Sequence, residues 1–278
     1  MASTQLTAII RTYNSTATLG RAIASLRVQT VPVNVLVVDS GSTDGTLELA
    51  RLTADQVLSI PTESFTYGGA LNVGARAAAT PVHAALSSHC ALPHEHWAER
   101  VVEHILDGPA VAVCGQPSGP DGRPLEIPLR ADHAFLRSHP FWGFSNHGSA
   151  WAASAWSTCP FDESLPSSED REWSWRVTEP GGVIVFDPEL SVAGGHRRHA
   201  GARAYYQRLV KEGTALLPWR PLPPYGLGQA ARDLVARHPD QPLISGARRG
   251  GRTRAIEVAA RYRASRVAAT RSPLPGSR

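Results

Sequence analysis

The N-terminal part of the chain alternates short apolar runs with segments of helical periodicity. The apolar runs cover residues 6–10, 33–38, 57–60 and 83–86. The segments between them, at 14–29, 46–52 and 71–79, carry helical patterns, and in the first of these Leu19, Ile23 and Leu26 are spaced three or four apart. Regular strand–helix alternation is typical of a mostly parallel sheet flanked by helices. We therefore predict a Rossmann-like α/β fold.

Polar residues directly follow three of the predicted strands. They lie at 11–14, 39–44 and 87–90. Ligands of open α/β sheets bind outside the carboxyl ends of the strands, and parallel strands bring those ends to the same edge. We therefore expect these three clusters to form one ligand site.

The second half of the chain is less regular, with predicted strands at 110–114 and 183–186. Of the 278 residues, 42% are hydrophobic and 19% charged, which is ordinary for a folded enzyme with a sizeable core. We predict one main domain over 1–215, made of a first half at about 1–93 and a second half at about 94–215. A Pro-rich linker and a basic helical tail follow at 216–278.

Positive charge is concentrated in that tail. Beyond residue 240, Glu257 is the only acidic residue among many arginines, although the formal net charge of the whole chain is only +4. This balance does not indicate a nucleic-acid binder. The tail suits an acidic partner, such as anionic lipid headgroups or a phosphorylated acceptor, or it is a solvated helix face.

The three cysteines have no paired spacing, and no run of about 18 apolar residues occurs. Reduced thiols and the lack of such a run favour a cytoplasmic location. Through its basic tail, the protein is a candidate for peripheral contact with the inner face of the membrane.

Asp39 ends the second predicted strand and is followed by small hydroxyl residues, Ser42 among them. A carboxylate at this place suits recognition of a nucleotide, because it accepts hydrogen bonds from a pyrimidine N3–H or from ribose hydroxyls. The alternative is a structural turn in which Asp44 caps the next helix.

Arg11, Thr12 and Asn14 follow the first predicted strand. An arginine beside a helix N-terminus is well placed to bind a diphosphate. We therefore assign these residues, with Asp39 and Ser42, to one site for a nucleotide and its diphosphate. The alternative is a simple strand-to-helix turn in which Asn14 is the cap.

Six segments in order carry a resemblance to a known family. They are IIRTYN at 9–14, VVDSGSTDGT at 37–46, FTYGGALNVGA at 65–75, FSN at 144–146, PFDESL at 160–165 and EDREW at 169–173. Together they resemble glycosyltransferase family 2, which has the GT-A fold and inverts the anomeric centre, and within it the bacterial rhamnosyltransferase-like branch. The resemblance covers roughly residues 5–213. It implies transfer of a hexose or deoxyhexose from a UDP- or dTDP-type sugar to a discrete acceptor, in glycan or natural-product biosynthesis.

The same resemblance implies that residues 1–93 form the nucleotide-binding half, which holds the donor, and that residues 94–215 form the acceptor and catalytic half. It also assigns roles to single residues. Asp170 matches the position of the general base, and Glu169 is expected to orient the acceptor or support its loop. Asn72 matches a position that supports the donor pocket, while His147 and Trp151 follow the acceptor-side loop. Without the resemblance, the two acids would be interpreted as charges that stabilise a helix N-terminus.

The sequence departs from the family at the metal site. The family implies a divalent metal, Mn²⁺ or Mg²⁺, on an acidic motif, but His89 stands at the expected aspartate. Histidine suits transition metals better than Mg²⁺. Of a His-x-His pattern near residue 194, only His196 remains, so His89 and His196 are the candidate metal ligands. Arg197 is a candidate for stabilising the leaving diphosphate. The alternatives are a structural histidine and a solvated basic loop.

Two rival functions remain open. The chain could be a catalytically inactive GT-A domain that binds a nucleotide sugar or another partner, and the altered metal motif favours this alternative. A sugar-phosphate nucleotidylyltransferase shares the strand–helix layout but should carry a Gly-rich segment after the first strand. Here no glycine occurs before Gly20, so this function is less expected.

Overall fold

The computed structural model describes residues 4–120, 122–139, 142–194, 201–216, 225–235 and 251–269. Its strands are β1 Leu6–Thr12, β2 Val33–Asp39, β3 Gln56–Ser59, β4 Val82–Ser87, β5 Ala110–Gly115, β6 Leu129–Ala131, β7 Gly148–Ala152 and β8 Val183–Asp187. Its α-helices are α1 Thr16–Arg27, α2 Thr46–Thr53, α3 Tyr67–Ala77, α4 Trp97–Val102, α5 His133–Ser138, α6 Ala153–Thr158, α7 Glu169–Thr178, α8 Ala202–Leu216, α9 Leu227–Val235 and α10 Gly251–Ala269. A π-helical turn, Glu103–Asp107, continues α4.

Within the described residues, the strands form one eight-stranded sheet in the order β3-β2-β1-β4-β7-β5-β8-β6. Strands β3, β2, β1 and β4 are parallel neighbours. Strand β7 is antiparallel to both β4 and β5, and β6 is antiparallel to β8. The predicted mostly parallel sheet is confirmed. The short strands β6 and β7 were not predicted, because neither carries a long apolar run.

Helices cover both faces of the sheet, because successive residues of a strand point to opposite sides. In β1, Leu6 and Ile10 pack with Leu19 of α1 and Trp97 of α4 on one face. On the other face, Ile9 belongs to a second core with residues of α3 and α7. The strand ends that carry the predicted site residues are therefore held between two packed layers.

The C-terminal helices pack on one another. Leu209 of α8 and Ala260 of α10 share a small apolar cluster, and Tyr225, Ala230 and Val258 form another with α9. The predicted helical tail is thus packed against α8. No helix in the described part of the chain is both long and apolar enough to cross a bilayer.

Candidate active site

The carboxyl ends of β1, β2 and β4 lie side by side, as the sequence predicted. Thr12 pairs with Asp39 across the ladder, and Arg11 lies opposite Ser87 of β4. Parallel register explains this arrangement, since each strand ends at the same level of the sheet. The residues assigned to the donor from the first two strand ends therefore gather at one edge.

Asp39 is buried, with 1% of its surface exposed, and its carboxylate organises the turn that follows it. Oδ1 accepts hydrogen bonds from the backbone N–H groups of Gly41 and Ser42 at 3.1 and 3.0 Å. Oδ2 accepts from the Ser42 hydroxyl at 2.5 Å. A carboxylate has about four acceptor sites. Three of them are used within the turn, which gives Asp39 a structural role, and a nucleotide-binding role would depend on the remaining one.

Asn14 ties the loop after β1 to the loop after β2. Its backbone has a left-handed φ of 46°, a conformation that asparagine tolerates better than most residues. Its N–H donates to Ser42 Oγ, and its Oδ1 accepts from the Thr43 N–H, both at 2.9 Å. Asn14 and Ser42 therefore shape the edge of the predicted donor pocket.

Asp44 also joins these two loops. Its carboxylate accepts from the Thr16 N–H at the start of α1 and from the backbone N–H and hydroxyl of Thr46. Hydrogen bonds, that from the Thr46 hydroxyl first, lower the pKa of Asp44 to about 2. Asp44 therefore binds the first N–H groups of both α1 and α2, although the N-cap positions themselves are occupied by Ser15 and Gly45 and not by Asp44.

Arg11 connects the end of β1 with the acidic pair. Its Nη1 donates to Glu169 Oε1 at 3.3 Å and to the Tyr67 carbonyl at 3.0 Å. The Asn146 amide donates to the same Glu169 oxygen at 3.2 Å. Beside Arg11, the hydroxyl of Thr12 is buried and has no hydrogen-bond partner among the described residues. Glu169 is thus held by the guanidinium of Arg11, in β1, and by the side-chain amide of Asn146, in the loop before β7.

Asp170 lies beside Glu169 at the start of α7. Its Oδ2 accepts from the Asn146 N–H at 3.2 Å, and its Oδ1 accepts from the Arg171 N–H at 2.8 Å. Burial, and then the negative charge of Glu169, raise the pKa of Asp170 to about 7. The preceding Ser168 has a left-handed φ of 63°, an unusual conformation that occurs often at functional sites. A carboxylate with a pKa near neutrality can accept a proton from a substrate hydroxyl.

Asn72 lies inside α3 and is 1% exposed. Its amide nitrogen donates to the Phe161 carbonyl and to Glu163 Oε1, at 2.8 and 2.9 Å. Its oxygen accepts from the Trp156 indole and from the Phe161 N–H, at 2.8 and 3.1 Å. The whole amide is therefore used to hold the segment around Phe161 against α3. The amide of Asn72 is thus turned toward protein groups, and its role in supporting the donor pocket stays a prediction.

His89 follows β4 at the same edge of the sheet. The structure brings the His147 ring to 6.0 Å from the His89 ring, centroid to centroid. Antiparallel pairing of β7 with β4, which aligns Leu86 with Gly148, causes this approach. The sequence placed His147 on the acceptor side, and only the unpredicted strand β7 reveals its proximity to His89.

The segment that precedes the predicted basic loop also reaches His89. Ala193 pairs with Ala91 in an isolated bridge, and a Cβ on Gly194 would lie 2.5 Å from the His89 carbonyl. Gly194 has a φ of 101°, so both conformation and space require glycine there. His196 and Arg197 lie outside the described residues. No group of three or more histidine, cysteine or acidic ligands occurs in the described part of the chain.

The chain matches the family model "Glycosyl transferase family 2" over residues 7–155. Among curated proteins, it is 36% identical to glycosyltransferase AglE of Haloferax volcanii in an alignment 198 residues long, which covers 64% of this chain but only 62% of AglE. It is 30% identical to the O-antigen chain rhamnosyltransferase RfbN of Salmonella typhimurium in an alignment 235 residues long, which covers 77% of this chain and 74% of RfbN.

Solved structures show the same fold at low sequence identity. The mannosyltransferase PcManGT from Pyrobaculum calidifontis, in complex with GDP-Man and Mn²⁺, has a TM-score of 0.59 and 17% identity, covering 98% of this chain and 76% of that one. S. aureus TarS 1-349 in complex with UDP-GlcNAc has a TM-score of 0.57 and 19% identity, covering 83% and 70%. Glucosyl-3-phosphoglycerate synthase from Mycobacterium tuberculosis, in complex with Mn²⁺ and UDP, has a TM-score of 0.52 and 20% identity, covering 80% and 82%.

Proposed function

Because this chain belongs to glycosyltransferase family 2, we propose that it transfers a sugar from a UDP- or dTDP-type nucleotide sugar to the hydroxyl of a discrete acceptor, with inversion. The name of RfbN supports a deoxyhexose as the sugar. The uridine nucleotides bound to TarS and to the mycobacterial enzyme support a pyrimidine donor.

The raised pKa of Asp170 is the observation on which this function rests. In an inverting transfer, the acceptor oxygen forms a bond to the anomeric carbon on one face of the sugar. The bond from that carbon to the phosphate oxygen of the donor breaks on the opposite face. The nucleoside diphosphate leaves with the bonding electrons, and the acceptor proton must go to a base. A partly buried carboxyl group whose pKa is raised to about 7 suits this task at neutral pH. Glu169, held by Arg11 and Asn146, keeps a second negative charge beside it.

We assign the donor to the residues that follow β1, β2 and β4 at the carboxyl edge of the sheet. Asp39 and its turn are proposed to bind the nucleotide through the remaining acceptor site of the carboxylate. Thr12 and Asn14 line this turn, and Arg11 borders the space in which the sugar would lie. His89 and Arg197 are proposed to face the diphosphate, where a cationic side chain stabilises the leaving group.

The described residues do not by themselves fit a divalent metal. His89 and His147 offer two imidazoles and no acid joins them there. Two imidazoles suit Mn²⁺ and other transition metals better than Mg²⁺, and a bound metal would neutralise diphosphate charge. His196 remains a proposed third ligand. No step of the proposed transfer depends on a metal.

A donor panel tests the function directly. The protein would be incubated with UDP-, dTDP- and GDP-sugars, with Mn²⁺, with Mg²⁺ and with a chelator, and release of the nucleoside diphosphate would be measured. We expect a pyrimidine nucleotide sugar to be bound and consumed. Binding without any release, in every combination and with acceptor hydroxyls present, would instead identify an inactive nucleotide-sugar-binding domain.

Replacement of the base gives the first prediction. We expect Asp170→Asn to lower kcat by about 10²–10⁴-fold, the usual contribution of a general base. The donor Kd, measured by calorimetry, should change less than about twofold, because the base acts on the acceptor proton. Asp107→Asn, at an exposed aspartate on the π-helical turn, is the control and should match the wild type. A variant of Asp170 with near-normal kcat would exclude this residue as the base.

A further inference from the structure

Lys211 is the only lysine of the chain, and it lies exposed on α8. Its Nζ is 5.6 Å from the centroid of the Tyr67 ring. The guanidinium carbon of Arg11 is 5.4 Å from the same centroid. Both distances are within the range of cation–π interactions, about 6 Å. Two cations from distant parts of the chain therefore share one aromatic ring at the site.

The position of α8 brings Lys211 beside the acidic pair. Ser168, directly before Glu169, donates from its hydroxyl to the Glu212 carbonyl at 3.5 Å. Leu209, two residues before Lys211, is buried in the contact between α8 and α10. This anchoring holds Lys211 at the rim of the site, next to the loop that carries the proposed base.

The charges around Lys211 are unevenly matched. Arg11 is compensated by Glu169, and the nearest acid on α8, Glu212, forms an ion pair with Arg208. Among the described residues, no carboxylate lies within ion-pair distance of the Lys211 ammonium. Ordering a lysine side chain over a ring costs rotamer entropy. A cation that is oriented at an active-site rim, with no acid to neutralise it, is suited to an anionic ligand.

We propose that Lys211, oriented by Tyr67, binds a phosphate group of a substrate at the rim of the site. Lysine is a common phosphate ligand because its ammonium is a compact point charge with three donors. The inference rests on the proposed function, which supplies two sources of such a group. One is the diphosphate of the donor, and the other is a phosphate carried by the acceptor.

The single lysine permits a direct binding experiment. Reductive methylation with isotope-labelled formaldehyde marks only Lys211 and the chain N-terminus, provided that any tag is free of lysine. The dimethylammonium group keeps its charge, and Lys211→Gln assigns its NMR signal by removing it. We expect this signal to shift in a saturable way when a phosphate ligand is added, while the N-terminal signal stays in place.

Two classes of ligand, diphosphates and phosphorylated acceptor analogues, distinguish the two sources. Saturable shifts with UDP or pyrophosphate alone indicate the donor diphosphate. Saturable shifts with a short-chain prenyl phosphate or a sugar 1-phosphate alone indicate a phosphorylated acceptor. Either pattern supports the subsite, and the absence of a saturable shift with all of these ligands overturns it.

Kinetics provide a second test with a matched control. We expect Lys211→Gln to raise the KM of the phosphate-bearing substrate by about tenfold, as for loss of one charge-assisted hydrogen bond, and to change kcat less than about twofold. Lys211→Arg should restore most of the affinity. Arg263→Gln, which removes an exposed charge from α10, should leave KM unchanged and thereby exclude a general electrostatic effect.

These experiments distinguish failure of the Lys211 subsite from failure of the proposed function. Unchanged KM values in Lys211→Gln, in a protein that transfers sugar, would overturn the Lys211 subsite and leave the glycosyltransferase function intact. If the wild type consumes no donor, the proposed function fails, and the NMR titration with pyrophosphate still decides whether Lys211 binds phosphate.

Discussion

Glu169 and Asp170 are neighbours in sequence but lie in different surroundings. Glu169 accepts hydrogen bonds from the Arg11 and Asn146 side chains. Asp170 accepts hydrogen bonds from two backbone N–H groups, and the positive charge of Arg171 also acts to lower its pKa. Its burial and the charge of Glu169 outweigh these donors and raise its pKa to about 7. Burial beside a second carboxylate is a common way to obtain a base that works at neutral pH.

The raised pKa of Asp170 predicts how activity depends on pH. The base must be unprotonated, so kcat/KM should rise as pH increases, with an inflection near 7, and then level off. Glu169→Gln removes a neighbouring negative charge, so the pKa of Asp170 should fall and the inflection should move to lower pH even if activity decreases. Initial rates across a pH series at limiting donor concentration measure this shift.

Asp107→Asn is the control for the profile and should keep the inflection of the wild type. An inflection that stays at the same pH in Glu169→Gln would contradict the assignment of the acidic limb to Asp170.

At the level of elements, Asp187 joins the end of β8 to the helices behind the sheet. It is fully buried and accepts hydrogen bonds from Arg100 of α4 at 2.5 Å and from His104 of the π-helical turn at 2.7 Å. It also accepts from the Glu189 N–H at 3.0 Å. Burial alone would raise the pKa of Asp187, but hydrogen bonds from His104 and Arg100 outweigh it, and the pKa is lowered.

We predict that Asp187→Asn lowers the free energy of unfolding by about 3 kcal/mol, because it leaves Arg100 and His104 facing a neutral partner in a buried place. The pKa of Asp187 is lower in the folded than in the unfolded protein, where it is about 4. Its carboxylate therefore stabilises the folded protein above about pH 4, and this contribution is lost as the pH falls through the pKa of the folded state. The difference between wild type and variant should therefore shrink below about pH 4.

Urea unfolding across a pH series measures this effect. Glu95→Gln is the control, since Glu95 belongs to an exposed pair with His96, and it should change stability by less than about 0.5 kcal/mol. A loss in Asp187→Asn as small as that of the control would contradict a structural role of the buried carboxylate.

At the level of the whole molecule, the C-terminal helices support the active site through α8. Glu257 of α10 is 4% exposed and accepts a hydrogen bond from the Tyr205 hydroxyl of α8 at 2.7 Å. Burial raises the pKa of Glu257 to about 7. The same contact between α8 and α10 holds Lys211 at the rim of the site, so the basic tail that the sequence treated as an appendage contributes to the position of a site residue.

Glu257 gives a prediction of opposite sign to Asp187. An acid whose folded pKa is raised stabilises the folded state below its unfolded pKa, and this advantage is lost as pH rises through about 7. Glu257→Gln stays neutral, so relative to wild type it should gain stability between pH 4.5 and 7, by at most about 3 kcal/mol above pH 7.

Thermal or urea unfolding at pH 5 and pH 8 measures that gain, and hydrogen exchange of α8 localises it. Glu126→Gln, at an exposed glutamate, should show no pH-dependent difference. Equal stabilities of Glu257→Gln and wild type at pH 8 would contradict a buried, neutral Glu257.

The sequence by itself determined the mostly parallel sheet and the edge at which Arg11, Thr12 and Asp39 meet. Both follow from local information, because apolar periodicity defines each strand and the end of each strand fixes the residue that follows it. Tertiary structure alone decided that β7 enters between β4 and β5 and brings His147 to His89. It also decided the pairing of Arg11 with Glu169, 158 residues apart, and the approach of Lys211 to Tyr67. Such contacts depend on how whole layers pack, and no local pattern of the chain records that packing.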